Sequence, residues 1–147
     1  MDISKKVSLL YGKGIISEYE ILQELEELSE NNNTLYPYLN EFIAMLNSEQ
    51  CIIRVRGFRL LCKQAKWDSA NIINKNIDGI LAALSDEKPT AIRQVLQYLK
   101  YIVLYKKELN NRIKEAVLSI DYSRFKGTMC PLIEKDSQSL VQLIEKQ

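Results

Sequence analysis

Between Tyr36 and Tyr105 the chain repeats itself, and that repeat constrains the fold more than any other feature. Leu39, Phe42, Ile43 and Leu46 recur 38 residues on as Ile77, Ile80, Leu81 and Leu84. After a short polar loop, Val55, Phe58, Cys62 and Ala65 recur 37 residues on as Ile92, Val95, Leu99 and Ile102. Each set is spaced by threes and fours, which keeps its side chains on one face of an α-helix. A pair of amphipathic helices cannot bury its apolar stripes alone, so successive pairs must stack. The pattern predicts an all-α fold, a right-handed superhelical solenoid of helical hairpins with about seven to eight helices.

The rest of the chain extends the pattern in both directions. Residues 2–11 form a short first helix stopped near Gly12 and Gly14. Ser17-Glu18-Tyr19-Glu20 matches a capping box, with Ile16 and Ile21 as its hydrophobic staple. Ile21, Leu22, Leu25 and Leu28 then give one apolar face, with Glu20, Glu24, Glu27 and Glu30 toward solvent. Pro37 suits the first turn of a third helix running to about Leu46. A fourth helix runs from about Cys51 to Lys66, and Asp68 or Ser69 caps a fifth. Pro89 opens a sixth that continues to about Tyr105. A third copy begins with Leu109, Ile113, Ala116, Val117 and Ile120, but Asp121 to Gly127 is irregular. The final helix carries Leu132, Leu140, Leu143 and Ile144. Asp136 falls on the same apolar line, so a break is expected there, with Asp136 as a cap. The units are expected at about 2–30, 36–67, 70–105 and 108–147, within one domain spanning 1–147.

Length and composition close off several function classes. A chain of 147 residues can bury roughly 70% of its unfolded surface in a single core. No 7–15-residue apolar run follows the N-terminal charges, so no signal peptide is expected. The longest apolar run, Ile80 to Leu84, is far short of the ~20 residues that span a bilayer; the expected location is the cytoplasm, with no membrane partner. Cys51, Cys62 and Cys130 show neither disulfide-framework nor zinc-site spacing. There is no His, which removes the commonest general base and metal ligand. No nucleophile has a base in sight. Gly12-Lys13-Gly14 lacks the strand and helix that would make it a phosphate loop. No catalytic residue, cofactor or metal site is expected.

Several stretches resemble a family of small bacterial HEAT-like proteins, mostly from Firmicutes. Val55-Arg56 and Ile92-Arg93, each near the start of a second helix, are similar to the Val-Arg of HEAT repeats. Tyr36-Pro37-Tyr38, Arg54-Val55-Arg56-Gly57, Ala65-Lys66-Trp67-Asp68, Asp86-Glu87-Lys88-Pro89, Ile120-Asp121-Tyr122-Ser123 and Pro131 to Asp136 carry the closer likeness, which covers most of the chain from about Ile16. The family is often labelled SufBD-like, after iron–sulfur assembly proteins. The resemblance implies a HEAT/armadillo-like fold. Three scattered Cys and no His offer no cluster site.

Charge points to a surface. Residues 1–50 carry three Lys against nine acids, residues 51–126 fifteen Lys/Arg against seven, and the remainder two against three, within a net charge of +1. Arg56, Arg59, Lys63 and Lys66 share one helix face. The repeat maps Arg56 to Arg93 and Lys63 to Lys100. In HEAT-like stacks second helices line the concave surface, which sets these rows about 10 Å apart. Tyr98, Tyr101 and Tyr105 form a neighbouring stripe suited to interface anchoring. The expected contact region is therefore Arg56, Arg59, Lys63, Arg93, Tyr98, Lys100 and Tyr101, on a non-catalytic adaptor that binds a protein partner. The alternative is sequence-independent nucleic-acid binding along the same ridge. The acidic and basic halves also allow a weak homodimer beside the monomer. A purely solvated face, with the arginines held in structural ion pairs, is the competing reading.

Overall fold

The computed structural model describes residues 1–14 and 16–147. Among them are nine α-helices and no strand. They are α1 (Ile3–Leu9), α2 (Ile16–Asn31), α3 (Leu39–Met45), α4 (Cys51–Lys63), α5 (Ile72–Lys75), α6 (Ile77–Leu81), α7 (Pro89–Tyr105), α8 (Asn110–Leu118) and α9 (Met129–Glu145). Single 3-10 turns at Tyr36–Tyr38, Ala65–Trp67, Ala82–Ser85, Lys107–Leu109 and Tyr122–Arg124 tighten the connections.

The long helices pack in chain order: α2 against α4, α4 against α7, and α7 against α9. The shorter helices flank them, α1 on α2, α3 on α4 and α8 on α9. One continuous cluster of apolar side chains fills the interior. Phe58, Cys62 and Ala65 of the first copy and Ile92, Val95, Leu99 and Ile102 of the second are all buried in it, while Val55 is half-buried. Gly57 marks the closest approach: a Cβ there would lie 2.5 Å from Met45 Cβ and 2.7 Å from the Phe42 carbonyl oxygen. Only hydrogen lets α3 and α4 come this near.

Three local expectations are corrected. The extra helix arises because the fifth one is split at Asn76, whose backbone leaves helical geometry at φ −112° and ψ 13°. Its side chain donates to the Ile72 carbonyl at 2.8 Å, a local hydrogen bond that competes with helix continuation. The capping box does not form: α2 already includes Ser17, whose hydroxyl instead donates to the Glu18 carboxylate at 3.0 Å. The last helix does not break at Asp136. α9 runs unbroken and buries Ile133, Ser137, Leu140 and Ile144, which turns Leu132 outward and leaves Asp136 at its flank, bound to Arg93 of α7. An ion pair across helices has replaced the proposed cap.

The repeat is also written in polar ties between copies. At the end of the first copy Asp68, which is buried, accepts from the amides of Ile72 and Ile73 at 3.0 and 2.8 Å and from the Tyr36 hydroxyl at 2.7 Å. Lys106, at the corresponding end of the second copy, reaches back to the Asp68 carbonyl at 2.7 Å and lies 3.3 Å from its carboxylate. Burial by itself raises the Asp68 pKa; the Tyr36 hydroxyl, the two amides and the Lys106 charge outweigh it and hold the group below its ordinary value. Asp68 thus caps α5 from outside the helix, as its place in the sequence predicts. Trp67 locks the same corner by donating to the Ser29 carbonyl at 2.7 Å. No described helix is long and apolar enough to cross a membrane.

Candidate interaction surface

Five of the seven residues expected at the surface, Arg56, Arg59, Lys63, Arg93 and Tyr98, hold hydrogen-bond or ion-pair partners within the molecule. Arg56 is buried at 2% exposure. Its guanidinium donates to the carbonyls of Leu10, Gly12 and Gly14 at 2.6, 2.7 and 3.0 Å, fastening the segment after α1 to α4. Burial lowers its pKa and the nearby Glu18 offsets part of that. Arg56 is therefore a structural post beneath the surface and not a contact on it.

Arg59 stands one turn further along α4, where it meets α2. It holds Glu26 through two parallel bonds, Nε to Oε1 at 2.7 Å and Nη2 to Oε2 at 3.0 Å, and donates to Gln94 Oε1 at 3.2 Å. Burial opposes its charge, but the Glu26 carboxylate outweighs burial and the pKa is raised. The guanidinium also lies over the rings of Tyr98 and Tyr19, at 4.8 and 5.8 Å from their centroids. Tyr98 donates to the other side of the arrangement, its hydroxyl 3.0 Å from Glu26 Oε2. Burial, and then the Glu26 charge, push this phenol far above its ordinary range.

Lys63 repeats the motif one turn later. It pairs with Glu30 of α2 and sits 4.3 Å from the Tyr101 ring. Arg93 pairs with Asp136 at 2.7 Å, which joins α7 to α9. Lys100 differs from all of these. It is exposed, it has neither an ion pair nor a hydrogen bond among the described residues, and its ammonium lies 5.1 Å from the Tyr101 ring. Tyr98 and Tyr101 pack against each other with centroids 5.7 Å apart. The resulting surface runs from Tyr19 on α2 through Arg59 on α4 to Tyr98, Tyr101 and Lys100 on α7. It is aromatic, and most of its cations already have partners.

Glu26 is the residue that sequence reasoning left out. It lies between the glutamates assigned to the solvent side and the apolar stripe of α2, so no periodic pattern marks it. A groove beside it was equally unmarked. About 650 Å³ in volume, it runs between the start of α2 and the N-terminal ends of α4 and α7, with Tyr19, Ile52 and Val55 among its walls. Among the described residues, no group of three or more His, Cys, Asp or Glu is placed to hold a metal ion.

Comparison with protein-family models, with curated proteins and with solved structures finds no match to this chain.

Proposed function

We propose that the chain is a HEAT/armadillo-like solenoid acting as a non-catalytic adaptor in the cytoplasm, with the inner face of α2, α4 and α7 holding a protein partner. The solenoid reading is supported by the chain-order packing of α2, α4, α7 and α9 and by side-chain ties between neighbouring copies at separations such as 32, 35 and 38 residues. The observation that carries the partner assignment is the neutralised aromatic surface itself. Glu26, Glu30 and Asp136 balance Arg59, Lys63 and Arg93, and leave tyrosine rings and Lys100, which has no ion pair among the described residues, to face outward. Half-exposed tyrosines next to a free charge suit a protein interface. A ridge in which Arg59, Lys63 and Arg93 are already compensated by carboxylates is poorly suited to a phosphate backbone, where each neutralised phosphate releases counterions.

Two measurements test the reading. A Tyr101→Ala/Lys100→Glu variant should keep its fold and lose captured partner in affinity purification. Unchanged capture overturns the assignment. Duplex DNA titrated at low salt should show no micromolar binding. Tight binding with a log K against log[salt] slope near −0.9 per phosphate contacted would move nucleic acid to first place.

A further inference from the structure

We infer that the face around Tyr101, where α2, α4 and α7 meet, receives an acidic segment of the partner protein, one that brings carboxylates to both Lys66 and Lys100. This rests on the adaptor reading above and gives the partner its chemistry.

The charges on this face do not cancel. Neither α4 nor α7 contains an acid, so the carboxylates that balance them here come from neighbouring helices. Each of these is committed to one cation: Glu26 of α2 to Arg59, Glu30 of α2 to Lys63, and Asp136 of α9 to Arg93. Lys66 and Lys100 are left over. An ammonium group has three donors. Lys66 gives one of them to the Glu30 carbonyl at 2.7 Å and holds its charge 4.9 Å from the Trp67 ring. Lys100 makes no hydrogen bond or ion pair among the described residues and meets only the Tyr101 ring.

A continuous row of contacts joins the two. The ammonium groups of Lys66 and Lys63 both bind Glu30, the first at its carbonyl and the second at its carboxylate. Lys63 then lies 4.3 Å from the Tyr101 ring, and Lys100 lies 5.1 Å from the same ring. Three ammonium groups therefore follow one short path with a single carboxylate among them. Their repulsion is felt within the molecule: burial lowers the Lys63 pKa, Glu26 opposes this, and the like charges of Lys100 and Lys66 lower it again. A carboxylate at each outer ammonium relieves that repulsion and completes the balance. One turn beyond Tyr101, Leu104 and Tyr105 are 40% and 50% exposed and offer apolar cover to the side chains that flank the acids.

An acidic polypeptide fits this face better than a uniform polyanion. Glu26, Glu30 and Asp136 remain on it, and a phosphate backbone would run its charges over all three. A polypeptide sets its carboxylates at the two free ammonium groups and uncharged side chains between them. Such complementarity fixes register and excludes wrong partners.

The test uses the full chain and three pools of fluorescein-labelled dodecapeptides, capped at both ends. The first is drawn from Asp, Glu, Leu and Tyr; the second has Asn and Gln in place of the acids, and the third Lys and Arg. Fluorescence anisotropy at low salt should detect the acidic pool at micromolar protein, the amide pool about tenfold more weakly and the basic pool not at all. Lys66→Gln/Lys100→Gln, with its fold checked by circular dichroism, should weaken the acidic pool about tenfold. Lys75→Gln/Lys126→Gln removes the same charge from α5 and from the loop before α9 and should leave binding unchanged. Lys66→Glu/Lys100→Glu should transfer the preference to the basic pool. Equal binding of acidic and amide pools, binding by neither, or equal losses in the two Gln variants each overturns the inference. So does tighter binding of a single-stranded oligonucleotide of the same length. A dimer of the chain that dissociates in Lys66→Gln/Lys100→Gln gives the face to a second copy and overturns it too. If the acidic pool fails while Tyr101→Ala/Lys100→Glu still abolishes partner capture, the adaptor stands with a partner of other chemistry. If capture also survives, both fall.

Discussion

Arg56 and Arg93 hold the same place in two copies of one unit, 37 residues apart, and they work in opposite directions. Arg56 turns back toward the preceding copy and is buried against the carbonyls of Leu10, Gly12 and Gly14. Arg93 turns forward to Asp136 of the following helix and stays partly exposed. Lys63 and Lys100 form a second such pair. Lys63 faces Glu30 on α2, but α4, the helix in front of Lys100, contains no acid at all. Periodicity therefore decides which face of a helix a residue occupies. The neighbour decides what that residue does there.

The largest expected effect lies where both copies are tied together. Asp68→Asn removes the charge that faces Lys106 while Lys106 stays buried, and weakens the cap on α5. Breaking a buried pair from one side typically costs about 3–5 kcal/mol, and a loss near the lower end is expected here in urea denaturation. The pH profile gives a sharper reading. Asp68 is held below its unfolded pKa of about 3.9, so its stabilisation is complete above that value and is lost as pH falls through the folded pKa. The Asn variant should show a smaller loss of stability on acidification below about pH 4. An acid limb as steep as that of the parent would mean that Asp68 does not carry the coupling between copies.

The two arginines come next. Arg56→Met takes the donor from the buried Leu10 carbonyl and from the carbonyls of Gly12 and Gly14, and should cost about 3 kcal/mol. It should also release α1, visible as faster amide exchange in residues 3–10. Arg93→Met breaks a partly exposed pair and should cost about 1 kcal/mol. Equal losses in the two variants would erase the asymmetry between the copies.

The legible part of the fold follows from the same distinction. The limits of α7 are readable because Pro89 fixes its start and an unbroken three–four pattern runs to Tyr105. Cys62 is readable as a buried small hydrophobe because it lies on the apolar stripe, and it is fully buried. Asp136 misleads because an acid on an apolar line looks like a cap until Arg93 is known to stand opposite. Arg56 misleads for the same reason: nothing in a linear pattern reveals that three carbonyls wait beneath it. Helix faces are local properties of the chain, whereas ion pairs such as Glu26 with Arg59 depend on the rotation of one helix against another. The groove between α2, α4 and α7 depends on three such rotations.

The smallest effect is the most diagnostic of the two lysines. Lys63→Glu sets a carboxylate beside Glu30 and close to Glu26, and removes a cation from the Tyr101 ring, so a loss of about 1–2 kcal/mol is expected. Burial already lowers the Lys63 pKa, and the like charges of Lys100 and Lys66 lower it further while Glu26 raises it. Lys100→Glu turns one of those repulsions into an attraction. It should leave stability within about 0.5 kcal/mol of the parent, on the stabilising side, and move the Lys63 titration upward in NMR of the ammonium. A destabilisation by Lys100→Glu as large as that by Lys63→Glu would mean that Lys100 has an internal partner after all. A neutral effect on folding together with lost partner binding would separate the cation that ties α4 to α2 from the one that α7 presents.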